Sequence, residues 1–199
     1  LADNILLQSN RLGTLSKNII NNQRQQLAKK VINRYSWITS GVILINPLPG
    51  IDYLATSTIN VQMVLEIAKI YESKLSKDNA AELTKSIISV LATLGIVKGS
   101  LNLITNFLTI NSTTQFINKS AQSITAALII RIVGLSFVKY FQQNHNWGDA
   151  GIHQVVQEIY EINKKEAIIE NFIQEALVRL KKNKKFYSNK KLPPYFLND

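Results

Sequence analysis

Asn46-Pro47-Leu48-Pro49-Gly50-Ile51-Asp52 is the stretch that decides the fold of this chain. Its two prolines and one glycine end any helix that precedes them. An uncharged run, Tyr35 to Ile45, comes before the stretch, and a helix-like apolar run, Val61 to Tyr71, follows it. A break between two apolar helices predicts a helical hairpin whose tip is itself apolar.

Two groups of residues in this hairpin have predicted roles. Asp52 is expected to cap the second helix, placed at about 53–75, where its carboxylate would accept hydrogen bonds from free backbone amides. Together with the helix breakers, the predicted structural residues are Pro47, Pro49, Gly50 and Asp52. The tip is predicted to contact a membrane or a partner through the apolar residues Leu48, Ile51, Tyr53 and Leu54.

The composition favours few, long elements and an all-α fold. The 199 residues include 8 Gly and 4 Pro, which leaves little turn chemistry, and the absence of Cys excludes a disulfide scaffold. Further helices are predicted from Asn79, where a capping box begins, and over about 114–143. A long amphipathic helix is predicted over about 150–183. The prediction is therefore a helical bundle of about five helices.

The chain divides by composition into four parts. We expect a basic N-terminal helix or linker at 1–34 and a helical core at 35–143. A polar joint opens the amphipathic helical segment at 144–183, and a basic, non-helical tail follows at 184–199.

The net charge of +10 is concentrated at the two ends of the chain. Residues 1–35 carry +5 and residues 131–199 carry +4, whereas the middle carries only +1. This arrangement suits an anionic partner such as a lipid surface, nucleic acid or an acidic protein. A simple contribution to solubility is the alternative. The cations predicted to contact an anionic surface are Arg24, Lys29, Lys30, Arg34, Arg179, Lys181, Lys182, Lys184, Lys185, Lys190 and Lys191.

No motif for catalysis or for cofactor binding stands out. The run Gly95 to Ser100 lacks the residue order of a phosphate-binding P-loop. His145 and His153 have no accompanying framework of carboxylate or Cys ligands. We therefore predict a non-enzyme with no catalytic, metal-binding or cofactor-binding residues in this chain.

A bundle core and a lipid bilayer are the two environments that suit such apolar helices. A membrane-spanning helix needs about 20 apolar residues. The uncharged window 99–118 is rich in Asn and Thr, prolines interrupt 35–51, and 86–97 is too short. A buried core is the favoured interpretation, and shallow insertion of the hairpin or of an amphipathic helix is the alternative.

Three pieces of the sequence resemble the YcjF-like family, a domain of unknown function. The first two are Pro47 to Asp52 and Gln62 to Tyr71, at their mutual spacing, and the third is the later helix Ser123 to Phe141. The resemblance covers about 35–143. Domains of this family are found on the C-terminal side of Era-like or TrmE-like membrane-associated GTPases.

The resemblance implies an α-helical module linked to a GTPase domain in cis or in trans. The resemblance assigns no catalytic residue to this chain. It implies no cofactor here, and GTP and Mg would be bound only by a separate G domain, where one is attached. On this basis the start at Leu1 is expected to follow a G domain or to belong to a free-standing relative. With a composition typical of a low-GC bacterial or plastid genome, we expect a cytoplasmic protein that is peripheral or integral at the inner or thylakoid membrane.

Three hypotheses for function follow. The first is a non-catalytic, membrane-associated helical module that couples a GTPase or GTPase-like protein to a membrane surface or a partner. The second is a soluble helical module for protein–protein interaction or homodimerisation, with the apolar hairpin buried in a core or interface. The third, less favoured, is nucleic-acid binding through the two basic ends.

Overall fold

In a computed structural model the described residues, 2–45, 58–111, 117–149 and 151–187, form seven α-helices and no strand. The predicted all-α class is confirmed. The helices are α1 (Ala2–Ile45), α2 (Thr58–Ile70), α3 (Lys77–Thr93), α4 (Ile96–Asn111), α5 (Ile117–Gln142), α6 (Gly151–Asn163) and α7 (Glu166–Tyr187).

Helix α5 is the centre of the bundle and contacts each of the other six helices. Its sequence explains this position, because apolar residues surround most of its circumference. Every side chain from Ser123 to Ile130 is buried, and so are Phe137 and Phe141 further along. The other helices pack around α5 and bury one face each.

Helices α1 and α5 make the most extensive contact of the described helix pairs, and they run antiparallel. Gly134 of α5 lies directly against the fully buried Ile32 of α1. Further along the contact, the Ser123 hydroxyl donates to the backbone carbonyl of Ser40 at 2.8 Å, and the two hydroxyl oxygens lie 2.7 Å apart. Small side chains therefore let the two backbones approach each other closely.

The prediction of about five helices is wrong because two of the expected long helices are broken. Gly95 adopts a left-handed φ of +68° between α3 and α4, a conformation that glycine tolerates without strain. The predicted helix at 150–183 is interrupted at Lys164 and Lys165, between α6 and α7. Neither Gly nor Pro marks this second break, so the sequence carries no local signal for it.

Three predicted helix ends also need correction. Helix α3 is capped by Ser76, whose hydroxyl accepts a hydrogen bond from the amide of Asn79 at 3.2 Å, so Asn79 is not the cap. Helix α2 ends at Ile70 rather than near 75, because Glu72 takes a left-handed φ of 57°. Helix α7 continues to Tyr187, four residues into the tail predicted to be non-helical.

The predicted hairpin tip lies outside the described residues. This applies to the structural residues and to the contact residues alike: Pro47, Leu48, Pro49, Gly50, Ile51, Asp52, Tyr53 and Leu54. Their roles stay predictions. The helices on either side, α1 and α2, do contact each other in the bundle.

Aromatic side chains close the bundle at the C-terminal end of α5. The rings of Tyr71 and Phe141 stack with centroids 5.8 Å apart. His145 follows in a left-handed turn, and its Nε2 lies 2.6 Å from the hydroxyl of Ser73. His153, by contrast, is exposed on α6. The structure therefore places the two histidines in different environments.

The contact between Gly134 and Ile32 gives a test of the α1–α5 packing. A Cβ added at Gly134 would lie 2.5 Å from Cγ1 of Ile32. Gly134→Ala should therefore lower the free energy of unfolding by about 1–3 kcal/mol in urea denaturation, despite the better helix propensity of alanine. Ile32→Ala in the same chain should recover part of that loss, since the two changes share one space.

Gly13→Ala is the matched control, because no atom lies within 4 Å of the Cβ it would add. It should leave the free energy of unfolding unchanged or raise it by up to about 1 kcal/mol. Equal effects of the two glycine substitutions, or strict additivity of Gly134→Ala and Ile32→Ala, would contradict the packing described.

Candidate functional site

The N-terminal half of α1 projects from the bundle. Every side chain from Leu7 to Gln23 is exposed, and partial burial begins at Arg24. Fully buried contact starts at Ala28. At 1.5 Å per residue the exposed part is about 25 Å long. This segment is therefore a helix with no partner among the described residues.

Helix α1 carries an apolar stripe, most of it on the projecting segment, on the face opposite the one that packs. At 100° per residue, five exposed residues fall within an arc of about 140°. We call them the α1 stripe: Leu12, Leu15, Ile19, Ile20 and Leu27. The buried residues of the second half, such as Ala28, Ile32 and Thr39, lie on the opposite side of the helix. One helix thus presents two apolar faces, first outward and then toward the bundle.

The cations predicted to contact an anionic surface differ in how freely they can do so. Three are held in ion pairs: Arg24 with Glu72, Arg34 with Glu66, and Arg179 with Glu175. Lys29 and Lys30 are exposed and form no ion pair with any described side chain. The side chains of Lys181, Lys182, Lys184 and Lys185, and the whole of Lys190 and Lys191, lie outside the described part.

Glu66 joins α2 to α1 through two side chains. It accepts a hydrogen bond from the Tyr35 hydroxyl at 2.5 Å and pairs with Arg34. Burial, together with the hydrogen bond to Glu66, raises the pKa of Tyr35 to about 12. Arg34 also lies over the Tyr35 ring, 5.0 Å from its centroid. Arg34 is therefore held by contacts within the bundle, to Glu66 and to the Tyr35 ring.

A second cationic site lies inside the fold, at Arg131 of α5. Its Nε donates to the side-chain oxygen of Asn163 and its Nη1 to that of Asn33, both at 3.1 Å. Asn163 is itself fixed, because its amide nitrogen donates to the carbonyl of Ile159 at 2.7 Å. Burial lowers the pKa of the Arg131 guanidinium, and the charge of Glu175 partly offsets this. Neutral amides thus orient the cation.

An aromatic pair links Arg131 to the last helix. Phe172 of α7 stacks on Trp37 of α1 with centroids 5.1 Å apart. Arg131 lies 5.8 Å from the Phe172 centroid, and Arg179 lies 4.9 Å from the Trp37 centroid. Such cation–π contacts contribute roughly 0.5–2 kcal/mol each. They dock α7 beside the guanidinium of Arg131.

A groove of about 450 Å³ opens beside Arg131, along α5 and between α1 and α6. Besides Arg131, its cationic lining residues are Lys29 and Lys139, and no acidic residue lines it. Its other walls are formed by amide side chains and by the apolar residues Leu135, Val138, Ile159, Ile162 and Ile168. We call this the α5 groove. Its chemistry suits an anion attached to an apolar body.

A family model described as "Domain of unknown function (DUF697)" matches residues 7–165. The chain belongs to this family. The match covers the projecting segment of α1 and helices α2 to α6. A comparison with curated proteins and a comparison with solved structures gave no match. The family description names no reaction and no ligand.

Helix α5 also meets the length and composition test for a membrane-spanning helix, over Ser120–Gln142. In this bundle, however, 78% of its apolar window is buried against other helices. Helices α3 and α4 pass the test only as a pair bent by 65°. Core helices and membrane spans share these properties, so the composition alone does not separate the two environments.

Sequence reasoning missed both the α1 stripe and the α5 groove. The stripe could be found in the sequence, because the apolar residues of α1 move to the opposite face of the helix between Ile19 and Ala28. The groove had a weaker signal, the charged residue Arg131 in the middle of a largely apolar helix. Its partners Asn33 and Asn163 are far away in the chain, and only the fold brings them together.

The hydrogen bond from Tyr35 to Glu66 predicts a dependence of stability on alkaline pH. A raised pKa means that the folded state favours the neutral phenol. Its stabilising effect is complete below pH 10 and is lost as the pH rises through about 12. Tyr35→Phe should lower the free energy of unfolding by about 1–2 kcal/mol at pH 7, and this difference should shrink between pH 10 and pH 12.

Glu66→Gln provides the comparison, because a neutral acceptor opposes phenolate formation less than a carboxylate does. In this variant the pH-dependent loss of stability should still begin near pH 10, but it should level off at a lower pH and be smaller than in the wild type. Urea denaturation at several pH values measures both effects. A difference between wild type and Tyr35→Phe that stays constant up to pH 12 would contradict the assignment.

Proposed function

We propose that this chain is a non-catalytic helical module that lies on an anionic membrane surface and couples a GTPase domain to it. The α1 stripe carries the proposal. Its apolar residues point away from a bundle that already has its own core, with Leu12 65% and Ile19 58% exposed. A membrane surface is an environment in which such a helix face is buried without unfolding anything else.

The charges on the same helix support an anionic rather than a neutral surface. Arg11 and Lys17 lie on the two sides of the α1 stripe, and Lys30 lies on the same face as the stripe. Each cation close to an anionic lipid surface contributes about 1 kcal/mol. Long basic side chains can keep their charges at the headgroups while their stems cover apolar surface. Apolar burial and charge attraction would therefore act together.

Contact at the surface fits the bundle better than a crossing of the membrane. The apolar surface of α5, which has the length of a span, is covered by six other helices. Exposing that surface to lipid would require those helices to separate. The α1 stripe needs no such rearrangement, since it is already exposed.

The coupling to a GTPase rests on the resemblance of Pro47 to Asp52 and Gln62 to Tyr71 to the YcjF-like family. In that arrangement a G domain, in cis or in trans, would bind GTP and Mg, and this module would supply the membrane contact. The compartment would be the cytoplasmic side of an inner membrane or the face of a thylakoid membrane.

A homodimer formed through the same stripe is the competing proposal. Leu12, Leu15 and Ile19 have the spacing of a coiled-coil seam. The next seam positions are Asn22 and Gln26, however, so the apolar repeat ends after about one heptad. Stable coiled coils sustain the repeat over three or four heptads. The membrane surface is therefore the better-supported occupant of the stripe.

Vesicle flotation tests the role of the α1 stripe. Wild-type protein should float with vesicles that contain anionic lipid and should bind neutral vesicles much less. Leu12→Asp combined with Ile19→Asp should weaken binding to anionic vesicles by at least about tenfold, because burial of each apolar side chain contributes roughly 1.5–3 kcal/mol. Helix content, followed by circular dichroism, should stay unchanged.

Asn10→Asp combined with Asn21→Asp is the matched control. It makes the same change in net charge on the opposite face of the same helix segment. It should cost less affinity than the stripe variant, and the loss should disappear at high salt. Equal losses in the two variants, or wild-type protein that never floats and forms a discrete dimer, would overturn the proposal.

The predicted hairpin tip gives a second and independent contact to test. Leu48→Asp combined with Ile51→Asp should reduce the flotation that survives high salt, because apolar insertion is not screened by ions. Unchanged flotation of this folded variant would remove the tip from the proposed contact and leave the α1 stripe alone.

A further inference from the structure

The α5 groove contains a cation that is held in place without being neutralised. Arg131 is partly buried, and taking a charge out of water is costly unless an opposite charge compensates it. Its two side-chain hydrogen bonds go to the neutral amides Asn33 and Asn163. Glu175, the acid whose charge acts on Arg131, instead accepts hydrogen bonds from Nε and Nη2 of Arg179.

The groove adds a second cation that has no acidic partner. Lys29 of α1 lines it and forms no ion pair with any described side chain. Lys139, the third cation of the lining, pairs with Glu158 at 2.6 Å. The described charges around the groove therefore sum to about two positive units. A phosphate monoester, with a charge of about −1.5 to −2 near neutral pH, matches this value better than a carboxylate does.

The rest of the lining indicates what the phosphate is attached to. Ile162 and Ile168 line the groove and remain 54% and 37% exposed, so part of their apolar surface is uncovered. Leu135 and Val138 extend the apolar wall along α5. A volume of about 450 Å³ lies within the usual range for small-molecule sites. An amphiphile would cover the isoleucines while its anionic group meets the two cations.

We propose that the α5 groove binds a phosphate monoester attached to an apolar chain, with Arg131 and Lys29 contacting the phosphate and Ile162 and Ile168 contacting the chain. A guanidinium suits this role because its planar set of donors matches phosphate oxygens. The site is separate from the α1 stripe, since Lys29 lies about 100° around the helix from the centre of the stripe. It does not depend on the proposed membrane contact.

Isothermal titration calorimetry with hexyl phosphate, well below its aggregation concentration, tests this site without vesicles. Wild-type protein should bind hexyl phosphate about tenfold more tightly than inorganic phosphate, since burial of two methylene groups gives a ratio of that order. The comparison separates an amphiphile, such as a lipid with a phosphate monoester headgroup, from free phosphate. Hexanol should not bind measurably.

Lys29→Gln and Lys30→Gln form a matched pair of variants. The residues are neighbours, both are exposed, and only Lys29 lines the groove. Lys29→Gln should weaken hexyl phosphate binding by about fivefold, which is the effect of one charge contact near a protein surface. Lys30→Gln should leave it within about twofold. Ile168→Ser should weaken hexyl phosphate binding but not inorganic phosphate binding.

Three results would overturn the proposal. No binding of hexyl phosphate to folded wild-type protein would remove the site. Equal losses in Lys29→Gln and Lys30→Gln would show a diffuse charge effect rather than a groove. Equal affinities for hexyl phosphate and inorganic phosphate would remove the apolar part of the ligand. None of these results bears on flotation through the α1 stripe, so the two proposals fail separately.

Discussion

The close approach of α1 and α5 is the constraint on which the rest of the structure depends. Gly134 gives Ile32 the space to lie against the α5 backbone. Further along the same contact, the hydroxyls of Ser40 and Ser123 are hydrogen-bonded to each other. Because α5 contacts all the other helices, the position of α1 against it determines where the remaining helices can pack. Larger residues at these points would force the two helices apart.

The same constraint explains why α1 has two apolar faces. Its second half must direct Ala28, Ile32 and Thr39 toward α5, whereas its first half extends beyond the bundle and has no helix to meet. Apolar residues in the first half could therefore lie on any face without disturbing the core. Leu12, Leu15, Ile19 and Ile20 lie opposite the packing face, which keeps the α1 stripe clear of the bundle and open to an external surface.

Arg131 shows how a charge is accommodated in the most apolar helix of the fold. A buried cation without polar partners would be strongly unfavourable, and here Asn33, Asn163 and the ring of Phe172 supply those contacts from three different helices or helix ends. Neutral acceptors fix the direction of the guanidinium but leave its charge available. The α5 groove exists because α1, α6 and α7 meet at this charged point of α5 rather than closing over it.

The sequence by itself determined the all-α class, a helix over about 114–143 and the basic ends, because helical periodicity and composition are local properties. It could not place the break at Lys164 and Lys165, which no Gly or Pro marks, or the cap at Ser76, since Asn79 nearby is also a capping residue type. Which cations are free was decided mainly by tertiary structure. Arg24, Arg34 and Arg179 meet carboxylates in the fold, whereas Lys29 does not. Except for Arg179, whose partner is four residues away, those pairings join residues distant in the chain, and only packing brings such residues together.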